Sequence, residues 1–303
     1  MNINDRIRGV WCAMLSPVTE RKTLDVALFQ DHAKKLLARG VDGVAPFGTT
    51  GEGQSFSVAQ RRSGVDALLA AGISASKIMP GTGCAALADT IELSRHAIQT
   101  RCRGVLVLPP FFFPGISDEG VVASYRALIE GVADDRLRIY LYHIPQVSGV
   151  PIGASAIERL IREFPAIIAG VKDSEGNLEH SLSLVHRFPE LSIFVGYEPH
   201  LPDLLAAGGA GTVCGLANLY PEVLRHLHDA KTPTERDDEI AFLRELLAAL
   251  QPHSLIPAMK AVRALQAGDA RWRSVMPPLV PLDEAGQARL KASVDAFAPT
   301  VAA

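Results

Sequence analysis

The chain has 303 residues, 30 Lys and Arg against 33 Asp and Glu, a formal charge of −3, and 48% hydrophobic residues. That balance, with no long basic run, argues against nucleic acid or an anionic membrane as partner. No apolar run approaches the ~20 residues a membrane span needs, and Met1-Asn-Ile-Asn-Asp-Arg6 lacks a signal pattern, so a cytoplasmic enzyme or binding protein is expected. Cys12, Cys84, Cys102 and Cys214 are far apart without a CxxC pair, which favours reduced thiols over a disulfide or zinc framework.

In chain order, short apolar runs alternate with amphipathic stretches. The runs at 9–15, 43–47, 77–81, 104–108, 138–142, 167–172, 192–195 and 211–214 read as eight strands. Between them 25–39, 86–100, 118–133 and 154–163 carry apolar stripes at helical spacing, Ser57 with Gln60 makes a capping box, and Gly72 follows that helix. Eight such units predict a (β/α)8 TIM barrel, whose strands are apolar throughout because both faces are buried. Thr232-Pro-Thr reads as a break before further helices at 235–250, 254–267 and 283–296. The expected organisation is therefore a barrel over 1–231 and a C-terminal helical extension over 232–303, outside the barrel.

Barrel active sites lie at the C-terminal strand ends. The polar residues there are Ser16, Gly48-Thr49-Thr50-Gly51-Glu52, Tyr142-His143, Lys172-Asp173 and Gly196-Tyr197-Glu198. Lys172 ends the apolar run Ala166–Val171. Burial of an amine disfavours the ammonium, so a strand-end lysine can supply a neutral nucleophile that forms a Schiff base with a carbonyl. The plain alternative is a lysine snorkelling from a strand end. Tyr142 fits a proton donor or base beside a cationic imine, or else an aromatic anchor of the rim. The glycines of 48–53 would bare backbone amides through φ > 0 and close approach; alternatively Thr49 and Glu52 cap a short turn.

Gly48-Thr-Thr-Gly-Glu52, Tyr142-His-Ile-Pro-Gln-Val-Ser-Gly149 and Gly170-Val-Lys-Asp-Ser-Glu-Gly-Asn177 together closely resemble the three motifs of the dihydrodipicolinate synthase and N-acetylneuraminate lyase superfamily. The resemblance spans the whole barrel in order and spacing. It implies that Lys172 forms the Schiff base with C2 of pyruvate or another 2-oxo acid, that Tyr142 shuttles protons, and that Thr49 and Thr50 hold the carboxylate, with Thr50 counted among the catalytic set. Gly196, Glu198 and Val213 are the further substrate-binding candidates. A homodimer or homotetramer is implied, and neither a cofactor nor a metal is expected.

Departures from the synthase pattern bear on the substrate. The synthases of this family carry, after the fourth strand, a tyrosine donated across a dimer to a proton relay; here the match is Phe112, whose phenyl ring passes no proton. They also carry a carboxylate-binding arginine after the catalytic tyrosine; the match here is Val147. Ile144-Pro-x-x-Ser-Gly149 instead resembles the lyase-type members, and Glu198 is either an acceptor for sugar-type hydroxyls or an exposed loop charge. The expected activity is a Schiff-base lyase or aldolase joining or releasing pyruvate and an aldehyde, or a dehydratase using the same imine. Dihydrodipicolinate synthase itself and a non-catalytic oxo-acid binder are the alternatives. Gly81-Thr-Gly83 imitates a dinucleotide fingerprint but lacks an acid at the next strand end. The glycines at 208–211 and Gly215 are similar to the phosphate site of many barrels, with tight packing of the barrel closure as the favoured reading, and His226 and His228 point to different helix faces, against a metal role.

Overall fold

The computed structural model describes residues 6–296; the N-terminal pentapeptide read above for a signal pattern and the ends of both expected domains lie outside these residues. Seven parallel strands, β1 (Gly9–Ala13), β2 (Gly43–Ala45), β3 (Val105–Val107), β4 (Ile139–His143), β5 (Ile168–Asp173), β6 (Ser192–Val195) and β7 (Gly211–Cys214), form one sheet in the order β2-β1-β7-β6-β5-β4-β3. The run at 77–81, expected as a full strand, fills the remaining gap through single bridges, Val44 to Ile78 and Gly81 to Leu106. Two features explain the shortfall: a 3-10 turn takes up Ala75–Lys77, and Pro80 has no N–H to donate. The N–H groups of Met79 and Gly81 still reach the Val44 and Pro46 carbonyls, and those of Arg103 and Leu106 reach Ile78 and Pro80. The ring is thus a (β/α)8 TIM barrel.

Side chains alternate through the wall. Val10, Cys12, Ile139, Leu141, Ile193 and Val195 face the helices, while Trp11, Ala13, Tyr140, Tyr142, Phe194 and Val213 fill the interior. Helices start where short polar side chains cap them: Asp25 accepts from Leu28 N–H, Ser57 and Gln60 form both halves of the capping box, and Asn177 accepts from His180 N–H. Gly72 closes its helix at φ +86°.

The C-terminal helices run over Pro233–Leu250, Leu255–Ala267 and Glu284–Asp295. The first begins two residues before the expected start, since proline is tolerated in a first helical turn. These helices lie outside the strands, yet Phe242, Leu246, Ala258, Met259 and Trp272 belong to the same hydrophobic cluster as the barrel's outer wall. They also cover part of the barrel mouth.

Candidate active site

A bulge aims Lys172. Ile139 faces Ile168 but Tyr140 faces Gly170, leaving Ala169 as the extra residue of β5. The insertion resets the in-and-out alternation, and bulges of this kind re-aim side chains beside functional sites. A Cβ on Gly170 would stand 2.3 Å from the Ser192 carbonyl oxygen and 2.8 Å from the Tyr140 ring, so the position requires glycine. Two residues on, Lys172 is buried, level with Tyr142 of β4, and its Nζ lies 4.2 Å from that ring's centroid.

The loop after β2 comes to the same place. Thr49 Oγ1 and Tyr142 Oη are hydrogen-bonded at 3.3 Å. The loop's left-handed residues are Phe47 (φ 60°) and Glu52 (φ 55°), not its glycines; two non-glycine residues held there mark local strain. The glycines serve close approach instead: a Cβ on Gly53 would meet the Phe47 carbonyl oxygen at 1.9 Å, and one on Gly51 the Met14 carbonyl oxygen at 2.7 Å. Glu52 makes no cap. Its carboxylate pairs, fully buried, with Lys260 and accepts from Met276 N–H at 2.6 Å, tying the loop to the C-terminal helices. Burial lowers the Lys260 pKa and the Glu52 carboxylate opposes that shift. A buried ion pair of this kind leaves an uncompensated charge if either partner is removed.

Thr49, Thr50, Tyr142, Lys172, Gly196, Glu198 and Val213 all line one cavity of about 410 Å³ at the C-terminal face. Glu198 is not an exposed loop charge: it is 4% exposed and accepts from Leu216 N–H at 3.0 Å. Burial raises its pKa, against the pull of the Leu216 N–H and of Lys172. Ser16, though at a strand end, is fully buried and donates to the Gly51 carbonyl, outside the cavity. Leu247, Leu255 and Met259 complete the wall from the extension, a contribution that no motif near the barrel ends announces.

A second network borders the cavity through Glu175. Asp173 accepts from His180 Nδ1 at 2.9 Å, Ser181 Oγ at 2.6 Å and Glu175 N–H at 3.1 Å, and the rings of His143 and His180 stack at 4.7 Å. The ligand atoms of His143, Asp173, Glu175 and His180 lie within 4.8 Å of one another, a spacing that suits a metal ion. The hydrogen bonding does not suit one. Ile152 N–H donates to His143 Nδ1 at 3.1 Å, so the neutral ring carries its proton on Nε2 and has no lone pair there for a metal. That Nε2 faces the Glu175 carboxylate at 3.6 Å. The sequence signal was a strand-end Asp followed seven residues later by His, across the cap residue Asn177.

The hydrogen bond to Asp173 raises the His180 pKa against the effect of burial. Asp173 sits below the usual carboxylate range: burial pushes it up, but His180, Ser181 and Glu175 N–H outweigh that. A raised histidine contributes stability fully below its unfolded pKa of about 6.5 and loses it as pH rises through the folded value. A depressed Asp contributes above its unfolded pKa of about 3.9 and loses it as pH falls. The difference in melting temperature between wild type and His180→Asn is therefore expected to be largest near pH ~5–6 and to shrink toward pH ~9. A difference that grows with pH in thermal scans defeats this account.

The chain matches the model of the dihydrodipicolinate synthetase family over residues 6–297. The chain belongs to this family. It is 36% identical over 299 residues to an uncharacterized DapA-like lyase of Chloroflexus aurantiacus, covering 95% of this chain and 96% of the relative. The crystal structure of dihydrodipicolinate synthase from Agrobacterium tumefaciens superposes with a TM-score of 0.89 at 31% identity, covering 95% and 99%. A 2-dehydro-3-deoxy-D-gluconate/2-dehydro-3-deoxy-phosphogluconate aldolase of Thermoproteus tenax is 27% identical, covering 89% and 86%. Within this family fold, position 112 is a phenylalanine that is 69% exposed, and Val147, also exposed, lines the cavity.

Proposed function

We propose that the protein is a Schiff-base lyase of the aldolase type that cleaves, or forms, a 2-oxo acid from pyruvate and an aldehyde. The observation that carries this reading is the Lys172 amine over the Tyr142 ring, with the Tyr142 hydroxyl bonded to Thr49, at the C-terminal mouth of the barrel. The neutral amine attacks C2 of the 2-oxo acid and water leaves, giving an imine that is protonated on nitrogen. Tyr142 gives its hydroxyl proton to the departing water, and the phenolate left behind then takes the proton of the C4 hydroxyl as the C3–C4 electron pair moves toward the iminium and the aldehyde departs, leaving an enamine. Protonation at C3 and hydrolysis release pyruvate and the lysine. Thr49 and Thr50 hold the carboxylate, so the developing charge always meets the same donors. The exposed apolar rim of Phe112, Phe113 and Val147 supports association with a second copy, as a dimer or tetramer.

The cavity around the reacting carbons favours hydroxylated over charged groups at C4 and beyond. Lys172 is the only cation among its lining residues, whereas Glu175 and Glu198 both face it. Aspartate semialdehyde would find no guanidinium at position 147 and no relay hydroxyl at 112. Losing a charge-assisted hydrogen bond costs ~1.5–3 kcal/mol, one to two powers of ten in binding. Side by side, cleavage of a 2-oxo-3-deoxy sugar acid is expected to exceed condensation of pyruvate with aspartate semialdehyde. Condensation with kcat/KM near ~10⁴ M⁻¹s⁻¹ or above restores the synthase.

A further inference from the structure

Glu175 lines the cavity, yet the imine chemistry at Lys172 makes no use of its carboxylate. Its loop is pinned to the end of β4. Ser174 N–H donates to the His143 carbonyl at 2.8 Å, Gln146 Nε2 donates to the Ser174 carbonyl at 2.6 Å, and Glu175 N–H donates to Asp173 Oδ1 at 3.1 Å. Gly176 follows at φ +85°, a left-handed turn that favours glycine. The side chain itself is anchored by one oxygen: His143 Nε2 and His180 Nδ1 both face Oε2, at 3.6 and 3.5 Å. The His143 ring is 3% exposed and its Nε2–H has no hydrogen-bond partner among the described residues, so a buried donor with nothing else to bond draws that oxygen inward. Oε1 makes no hydrogen bond among the described residues and is left to the cavity.

The corner keeps a negative charge. Burial lowers the His143 pKa while the bond to Asp173 raises that of His180, so two carboxylates, Asp173 and Glu175, share at most one cation. Asp173 is turned away from the cavity and occupied by His180, Ser181 and Glu175 N–H. Glu198, the other acid of the cavity wall, is held by Leu216 N–H, and burial raises its pKa. Glu175 is thus the carboxylate most available to a bound molecule. A carboxylate tethered in this way accepts strongly from a hydroxyl and repels an anion brought to the same place.

We propose that Glu175 sorts the aldehyde half of the substrate: Oε1 accepts from a hydroxyl of a neutral polyhydroxy aldehyde and turns away the phosphate ester of the same aldehyde, with His143 and His180 as the residues that position it. The inference rests on the lyase reading above and narrows its substrate class. Arg244 is the competing influence. It is exposed on a neighbouring groove of about 600 Å³ that shares Tyr197, Leu247 and Leu255 with the cavity, and an aldehyde extended that way would gain from carrying phosphate.

The experiment compares kcat/KM for D-glyceraldehyde and D-glyceraldehyde 3-phosphate in condensation with pyruvate. Wild type is expected to prefer the neutral aldehyde about tenfold or more. Glu175→Gln should narrow that ratio about tenfold, equivalent to about 1.4 kcal/mol, by lowering the value for glyceraldehyde and raising that for the phosphate. Movement in opposite directions is a result that a partly unfolded variant does not give. His180→Asn keeps the carboxylate and releases one of its anchors, so KM for glyceraldehyde should rise more than kcat falls, with no gain for the phosphate. Three results overturn the proposal: equal use of both aldehydes by wild type, a wild-type preference for the phosphate, which assigns the sorting to Arg244, and a parallel fall with both aldehydes in Glu175→Gln, which makes Glu175 structural only. Borohydride trapping of pyruvate at Lys172 needs no aldehyde and keeps the two readings apart. Wild type that traps pyruvate but gives any of those results overturns the sorting role alone, whereas wild type that takes no adduct overturns the lyase reading and this role with it.

Discussion

Pyruvate followed by borohydride is expected to attach one reduced adduct to Lys172 and to abolish activity. Three features of the lysine support this. It lies in a cavity large enough for a small acid, it is 4% exposed, and its amine stands against an aromatic face without a carboxylate ion pair among the described residues. Lys260 makes the contrast. It is equally buried, but its ammonium is paired with Glu52 and bonded to the Ser274 carbonyl, so it has no free electron pair to offer. Reduction converts the hydrolysable imine to a secondary amine, which holds the acid permanently in the site. Intact mass and peptide mapping decide the outcome: no mass gain, or a gain at another lysine, removes the Schiff base from the mechanism. Lys172→Ala should take no adduct and lose turnover altogether, since no other cavity-lining residue is an amine.

Much of this architecture was legible because parallel barrel strands are buried on both faces and so stand out as apolar runs. The run at 77–81 was the weakest element: its apolar residues occupy the right place, but Pro80, plain in the sequence, removes an N–H from the ladder and leaves only single bridges. The rim residues Thr49, Thr50, Tyr142, Lys172, Gly196, Glu198 and Val213 could be collected from strand ends and motifs, and the fold brings them to one cavity. What the sequence concealed were long-range pairings. Glu52, read as a cap or an amide-loop residue, reaches across to Lys260 more than two hundred residues away, and nothing local to either residue foretells it. Arg61 is held inward by the Gly81 and Gly83 carbonyls of a separate element, a pairing that its own helix does not announce. Likewise the glycines of 48–53, expected to serve both φ > 0 and close approach, serve close approach alone, because sequence reveals that a side chain is absent but not whether torsion or contact demands it.

Tyr142→Phe is expected to form the imine with pyruvate but to turn over at least ~10²-fold more slowly, the usual loss for a positioned acid–base group. The substitution isolates the hydroxyl. The phenyl ring keeps the surface on which Lys172 rests, so the amine and the cavity retain their shape, and only Oη and its bond to Thr49 Oγ1 disappear. A hundredfold loss corresponds to about 2.7 kcal/mol in the barrier. It should appear in kcat more than in KM, because the hydroxyl acts as the C3–C4 bond changes and not when the carboxylate binds. Thr49→Val provides the comparison: it removes the hydroxyl that orients Tyr142 but leaves the proton carrier, so its effect on kcat should be the smaller. Single-turnover trapping separates the two steps, with imine formation near the wild-type rate and release of aldehyde slowed. Wild-type turnover in Tyr142→Phe excludes the tyrosine as proton carrier and leaves that role to the two cavity carboxylates, Glu198, whose pKa burial raises, and Glu175, which stands 3.6 Å from His143 Nε2 and 3.5 Å from His180 Nδ1.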